Sequence, residues 1–200
     1  GDGYLRGTKI SNNEANIGGG MYLHSDKNFR KSTRTYYLTD LTIQDNTSNT
    51  SGGGIFVQGS TEIIDGNLSF YTTSLYLTES DYGKFVLKNN TARMGGGIYA
   101  SGSPVYMDIS GDIQNKASSQ GNNLYLTHSG NWILSGNFLQ PTDKSRAGIY
   151  NIYMNTTSSE SSHSLYIDPT RVTVEKKNVE DNEDTPDVIY LETANSFLTY

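Results

Sequence analysis

Two hundred residues suit one domain or a small pair, and 21 Asp and Glu stand against 15 Lys and Arg, a net charge of −6. That balance argues against nucleic acid or an anionic membrane as a partner, since both are met through clustered Lys and Arg. With glycine counted and tyrosine left out, apolar residues are about 37% of the chain, which predicts a thin core rather than a broad one.

Cysteine is absent, so disulfides, thiolate metal sites and cysteine nucleophiles are excluded. No run of about 18 apolar residues occurs, so no segment reads as a membrane-spanning helix. The start, Gly-Asp-Gly-Tyr-Leu-Arg, has no charged-then-apolar leader, and the final Ser-Phe-Leu-Thr-Tyr is no polar cap. Residues 1–200 therefore read as one segment of a larger chain, continuing into flanking regions.

In chain order, the first unit joins Ile10 and Asn13 to Gly18, Gly19 and Gly20, then to Met21-Tyr22-Leu23. Residues 24–37 follow as a basic insertion, expected to leave the body as a loop. The second unit has Ile43 with Asn46, then Gly52, Gly53 and Gly54, then Ile55-Phe56-Val57. Ile64 with Asn67 precedes Leu75-Tyr76-Leu77 without glycines. Leu87 with Asn90, Gly95, Gly96 and Gly97, and Ile98-Tyr99-Ala100 restore the full pattern. A fainter copy starts at Asn115 and carries Gly121-Asn122-Asn123 ahead of Leu124-Tyr125-Leu126. After Leu134 with Asn137 the pattern thins through Ile149-Tyr150-Asn151, Leu165-Tyr166-Ile167 and Ile189-Tyr190-Leu191.

Most triplets begin about 20 to 26 residues apart, the spacing of a solenoid. β-Branched and aromatic residues, period-2 alternation and few prolines make each unit strand-like. The expectation is an all-β parallel β-helix of about eight coils, with clear repeats over 10–137 and irregular coils over 138–200. Alternation sends the outer two residues of each triplet inward and the middle aromatic outward. Met21, Ile55, Leu75, Ile98 and Leu124 should stack inside. Tyr22, Phe56, Tyr76, Tyr99, Tyr125, Tyr150, Tyr166 and Tyr190 should form a single outer column, with Tyr76, Tyr99 and Tyr125 exposed to a ligand. Asn13, Asn46, Asn67 and Asn90 should form an amide ladder. The glycines should turn the chain beneath stacked copies of itself, Gly96 at a positive φ.

These motifs resemble the repeats of chlamydial polymorphic membrane proteins and related bacterial surface adhesins. Their Phe-x-x-Asn is matched by Ile10, Ile43 and Leu87 ahead of Asn13, Asn46 and Asn90. Their Gly-Gly-Ala is matched by the three triple glycines. The resemblance covers residues 10–137 and implies a right-handed β-helix at a cell surface, with a host-cell protein or glycan as partner.

Catalysis on a β-helix needs acids converging on a groove. Asp40, Asp45, Asp65, Asp108 and Asp112, with His128, are the candidates for a carbohydrate-active or tailspike-like enzyme. Corner positions favour Asp for turn hydrogen bonds alone, and that reading is preferred. His24, His128 and His163 are too far apart in sequence to suggest a shared metal. None of the triple glycines has the Lys-Ser/Thr of a phosphate loop. Glu180, Asp181, Glu183, Asp184 and Asp187 read as a solvated loop rather than a Ca²⁺ site. The sequons at Asn46, Asn49, Asn67, Asn89 and Asn155 number about what so loose a pattern gives by chance. The sequence thus reads as a non-catalytic, cofactor-free binding module, with an enzyme or a purely architectural rod as alternatives.

Overall fold

The structure, a computed structural model, describes residues 2–25, 33–65, 67–127, 131–138, 151–155, 163–167, 189–192 and 196–199. These residues contain strands and no helix. The first pass of the chain comprises β1 (Gly3–Arg6), β2 (Lys9–Ser11), β3 (Glu14–Ile17) and β4 (Met21–His24). The second comprises β5 (Thr33–Thr39), β6 (Thr42–Gln44), β7 (Thr47–Ser51) and β8 (Ile55–Gln58). β9 (Ser60–Ile64) then pairs antiparallel with the first half of β10 (Asn67–Thr78), and the third pass continues through β11 (Val86–Met94) and β12 (Ile98–Ser101). The fourth is β13 (Val105–Gln120) and β14 (Leu124–Thr127). β15 (Asn131–Phe138) with β16 (Ile152–Asn155), β17 (His163–Ile167) with β18 (Ile189–Glu192), and β19 (Ser196–Thr199) complete the described chain.

Two sheets result. A thirteen-stranded sheet has one flank running β1-β5-β10-β13-β15-β17-β19 and a second flank built by β2, β3, β6, β7, β11 and the latter part of β13. A six-stranded sheet runs β4-β8-β12-β14-β16-β18. Every pairing except the β9–β10 hairpin is parallel. Parallel neighbours require a crossover, so each pass visits both sheets before returning one strand spacing away. The architecture fits a β-helix or solenoid in general form.

Like residues stack on like. Leu75, Val105 and Trp132 are in register on the first flank, as are Leu38, Leu77, Met107 and Leu134. On the second flank Ile10, Ile43, Leu87 and Ile113 align, and on the six-stranded sheet Met21, Ile55, Ile98, Leu124 and Ile152. All of these are buried except Ile10 and Met21, which pack against the core from the first pass. Each fully buried aliphatic chain stabilises the fold by roughly 1.5–3 kcal/mol. Trp132 donates its indole N–H to the Ser103 carbonyl at 3.0 Å, which removes the penalty of burying it.

Several expectations change. Leu75-Tyr76-Leu77 does not stack on Ile55-Phe56-Val57; it aligns with Tyr36-Tyr37-Leu38 and Val105-Tyr106-Met107 on the first flank. Leu165-Tyr166-Ile167 also joins that flank, opposite Trp132-Ile133-Leu134. Of the other six triplets, five are strands of the smaller sheet: β4, β8, β12, β14 and β18. The fifth triplet of that sheet is Ile152-Tyr153-Met154; Ile149 and Tyr150 lie outside the described residues. The proposed loop over 24–37 ends earlier, because Thr33–Tyr37 belong to β5, while 26–32 lie outside the described residues.

Candidate binding surface

The corner between the second flank and the smaller sheet explains the glycines, position by position. The first of each triple has a left-handed backbone: φ is 63° at Gly18, 66° at Gly52 and 62° at Gly95. The second, Gly96, does not, contrary to expectation. It is glycine because a Cβ there would meet the Asn122 carbonyl oxygen at 2.5 Å and that of Lys116 closer still. The third lies under the ladder: a Cβ on Gly54 would meet Asn90 Nδ2 at 3.2 Å, and one on Gly97 would meet Asn115 Nδ2 at 2.8 Å.

The ladder runs Asn13, Asn46, Asn90, Asn115. Each side-chain Nδ2 donates to the next Oδ1 at 2.9 Å, and Asn46 and Asn90 also donate to the carbonyls of Ile10 and Ile43. The left-handed residues Asn12, Asp45 and Asn89 immediately precede the first three rungs. Ile113-Gln114-Asn115 lacks that extra residue, which hides the fourth rung from the aliphatic-x-x-Asn pattern. Asn115 then donates to Asn123 at 3.0 Å, in the same pass, and Asn123 to Asn151 at 2.9 Å. Asn123 stands at the third-glycine position and its Oδ1 takes the place that the next rung would occupy. Asn67, expected in the ladder, instead has its backbone paired antiparallel with Ile64 in the β9–β10 hairpin, off the parallel register of Asn46 and Asn90. Asparagines and glycines are scaffold.

The aromatics form two columns, not one. On the smaller sheet Tyr22, Phe56, Tyr99, Tyr125 and Tyr153 stack with centroids 5.0–5.3 Å apart. On the first flank Tyr4, Tyr37, Tyr76 and Tyr106 stack at 4.9–5.4 Å. Burial separates them. Phe56, Tyr125 and Tyr153 are 7–8% exposed and only first-pass Tyr22 of that column stands in solvent, whereas Tyr4, Tyr37 and Tyr76 are 75, 37 and 36% exposed and Tyr106 is half-buried. Of the three expected ligand residues, Tyr76 is exposed, Tyr99 is half-buried, and Tyr125 is buried beside Asn155, whose amide approaches its hydroxyl at 3.5 Å. Tyr99 and Tyr125 are neighbours; Tyr76 belongs to the other column. Tyr4, Tyr37 and Tyr106 also lie mid-strand ahead of Leu5, Leu38 and Met107, but no triple glycine precedes them.

Ring geometry limits what the exposed column can do. Tyr4 and Tyr37 are 9° from coplanar and Tyr37 and Tyr76 26°, so neighbours occupy the ring faces. Rims and hydroxyls remain. Burial, with Tyr4, Tyr76 and Asp2 nearby, pushes the Tyr37 phenol above its ordinary range, so the hydroxyl stays neutral. Beside the column, Thr39 and Thr78 share a hydroxyl hydrogen bond at 3.0 Å.

Of the candidate acids, Asp40, Asp45 and Asp65 have separate tasks, and Asp108 and Asp112 lie on β13. Asp40, at φ 56°, accepts from the Ser80 N–H at 2.7 Å and the Ser80 hydroxyl at 2.6 Å, with Arg6 at 3.3 Å. Those bonds, opposed by burial and aided by the Arg6 charge, hold its carboxyl below the usual range. Partial burial pushes Glu79 up, yet hydrogen bonds from Ser110, Phe85 and Lys84 bring it net below. Asp45 accepts from Gln44 and Asn89, and Asp65 shapes the hairpin turn at φ 50°, so the two are not counterparts. Among the described residues no three His, Asp or Glu side chains gather to hold a metal. His128 and the acids from Glu180 to Asp187 lie outside the described residues. Compared with family models, curated proteins and solved structures, the chain matches none.

Proposed function

We propose that this chain is a right-handed parallel β-helix segment of a surface-displayed adhesin, without catalysis, that meets a partner protein through the Tyr4-Tyr37-Tyr76-Tyr106 column. Right-handedness is the rule for crossovers between parallel strands of one sheet. The observation that carries the recognition role is a difference in exposure: the first-flank column presents three consecutive exposed rings, Tyr4, Tyr37 and Tyr76, whereas the smaller sheet's column exposes only its first ring, Tyr22. Aromatic rims bearing a neutral hydroxyl combine an apolar body with a polar tip, the character of protein-interface residues. A sugar ring needs an open aromatic face, which the stack does not offer between its members. The reading favours a host-cell protein over a neutral glycan, and it rests on the likeness of the repeats to those of bacterial surface adhesins.

Attachment of beads coated with the purified chain to cultured epithelial cells tests it. Tyr37→Ser with Tyr76→Ser should abolish attachment while the β-sheet circular dichroism persists; Tyr99→Ser should not reduce attachment of the folded chain. Equal attachment by the double variant would sink this reading.

A further inference from the structure

The outer face of the second flank carries an open groove of about 340 Å³, independent of the tyrosine column. Parallel pairing of β7, β11 and β13 puts Thr47, Thr91 and Lys116 in one row across three passes. Two residues farther along the same strands stand Asn49, Arg93 and Ser118. Side chains two apart share a face, so Thr91 with Lys116 and Asn49 with Arg93 and Ser118 form the groove's two walls, roughly 7 Å apart along the strands. Between the rows, Ser48 and Ala92 complete the lining while their buried side chains alternate to the opposite face, so nothing bulky fills the groove. Arg93 and Lys116 are exposed cations on opposite walls in successive passes, placing two positive charges in a chain of net charge −6.

We infer that this groove binds an acidic oligosaccharide, its carboxylate or sulfate groups held between Arg93 and Lys116. A guanidinium presents a planar fork of donors to such an oxyanion, and an ammonium adds a compact charge. Hydroxyls of Thr91 and Ser118 and the amide of Asn49 match sugar hydroxyls. The lining holds no aromatic or large aliphatic residue, which disfavours a peptide that needs an apolar anchor. Two cations are too few for nucleic acid, whose affinity is built from many phosphate contacts.

Calorimetric and NMR titration at low salt, with a heparin-derived hexasaccharide and a hexagalacturonate, distinguishes sulfate from carboxylate recognition. At least one should bind, shift the amide signals of Thr91, Arg93 and Lys116, and weaken with added salt. Arg93→Glu with Lys116→Glu should reduce affinity about a hundredfold, as expected for two lost charge-assisted contacts. Arg93→Gln with Lys116→Gln gives the same test without charge reversal, and Lys9→Glu on the first pass should change affinity less than about twofold. Absence of binding by both acidic sugars overturns the proposal. So does binding that survives both double variants, tighter binding of maltohexaose, or tighter binding of a poly-glutamate peptide or single-stranded DNA.

Discussion

The two aromatic columns are built alike and differ in what surrounds them. Rings stack about 5 Å apart in both. The smaller sheet's column adjoins a corner of buried glycines and asparagines, where the backbone of one pass lies against the next. The first flank's column adjoins a corner held by Arg6, Asp40 and Ser80, and by Glu79, Lys84 and Ser110, much of it in solvent. Buried, close-approach contacts tolerate little change, whereas solvent-exposed polar contacts contribute modestly and tolerate more. Stability therefore concentrates on the glycine side, leaving the tyrosine flank free to carry recognition.

The largest expected effect breaks the glycine side. Gly96→Val sets a β-branched side chain against backbone carbonyls that cannot move without shifting the fourth pass. It should cost about 3–4 kcal/mol, visible as a lowered urea midpoint. A cost below about 1 kcal/mol would show that the passes can slide apart. Asn90→Ala comes next at about 2–3 kcal/mol, because it leaves the Asn46 amide and the Ile43 carbonyl buried without that partner. The same change at exposed Asn13, on the first rung, should cost under about 1 kcal/mol. Equal losses at the two rungs would deny that burial gives the ladder its strength.

Much of this side was legible in the sequence. Triple glycines, Asn13, Asn46 and Asn90, and five of the six apolar-aromatic-apolar triplets of the smaller sheet stand where the repeat placed them. What failed was the division between sheets. A triplet such as Leu75-Tyr76-Leu77 has the same pattern on either sheet, because alternation reports burial on one face and not which wall supplies it. Tyr36-Tyr37-Leu38 was obscured by the basic stretch before it. Clearance from the stacked copies is a reason the repeat offered for the glycines, and it holds at the second and third positions; which carbonyl or amide a Cβ would strike there was not legible, nor was the lack of a positive φ at Gly96. Exposure of Tyr37 and burial of Tyr125 depend on what flanks each column, which periodicity does not encode.

Matched serine substitutions sharpen the comparison at smaller cost. Tyr99 lies between Phe56 at 5.0 Å and Tyr125 at 5.1 Å, and its burial, with Tyr125 alongside, pushes its phenol above the ordinary range. Tyr99→Ser should lose roughly 2 kcal/mol of stability through lost area and ring contact. Tyr76→Ser, with its ring already partly in water, should lose less than about 1 kcal/mol. Thermal or urea unfolding of the two variants side by side measures the gap. A larger loss at Tyr76 would reverse the assignment of scaffold and surface.

The smallest effect probes the exposed corner through pH. Asp40 has its folded carboxyl held below the ordinary Asp value, near 3.9 when unfolded, chiefly by the Ser80 hydroxyl and N–H. A depressed value means the ionised form is favoured by folding. Its contribution is therefore fully present above about pH 4 and is lost as pH falls through the lower, folded value. Asp40→Asn keeps the side-chain shape and still tolerates the left-handed backbone at φ 56°, so it removes charge with little change of turn. Wild type should unfold at higher urea than the variant at pH 6, and the two midpoints should converge as the pH drops below about 4. A gap that stays constant from pH 6 to pH 2 would mean that Asp40 acts there through shape alone. The contrast between a charged, pH-sensitive corner and an uncharged glycine-asparagine corner would then lose its electrostatic half.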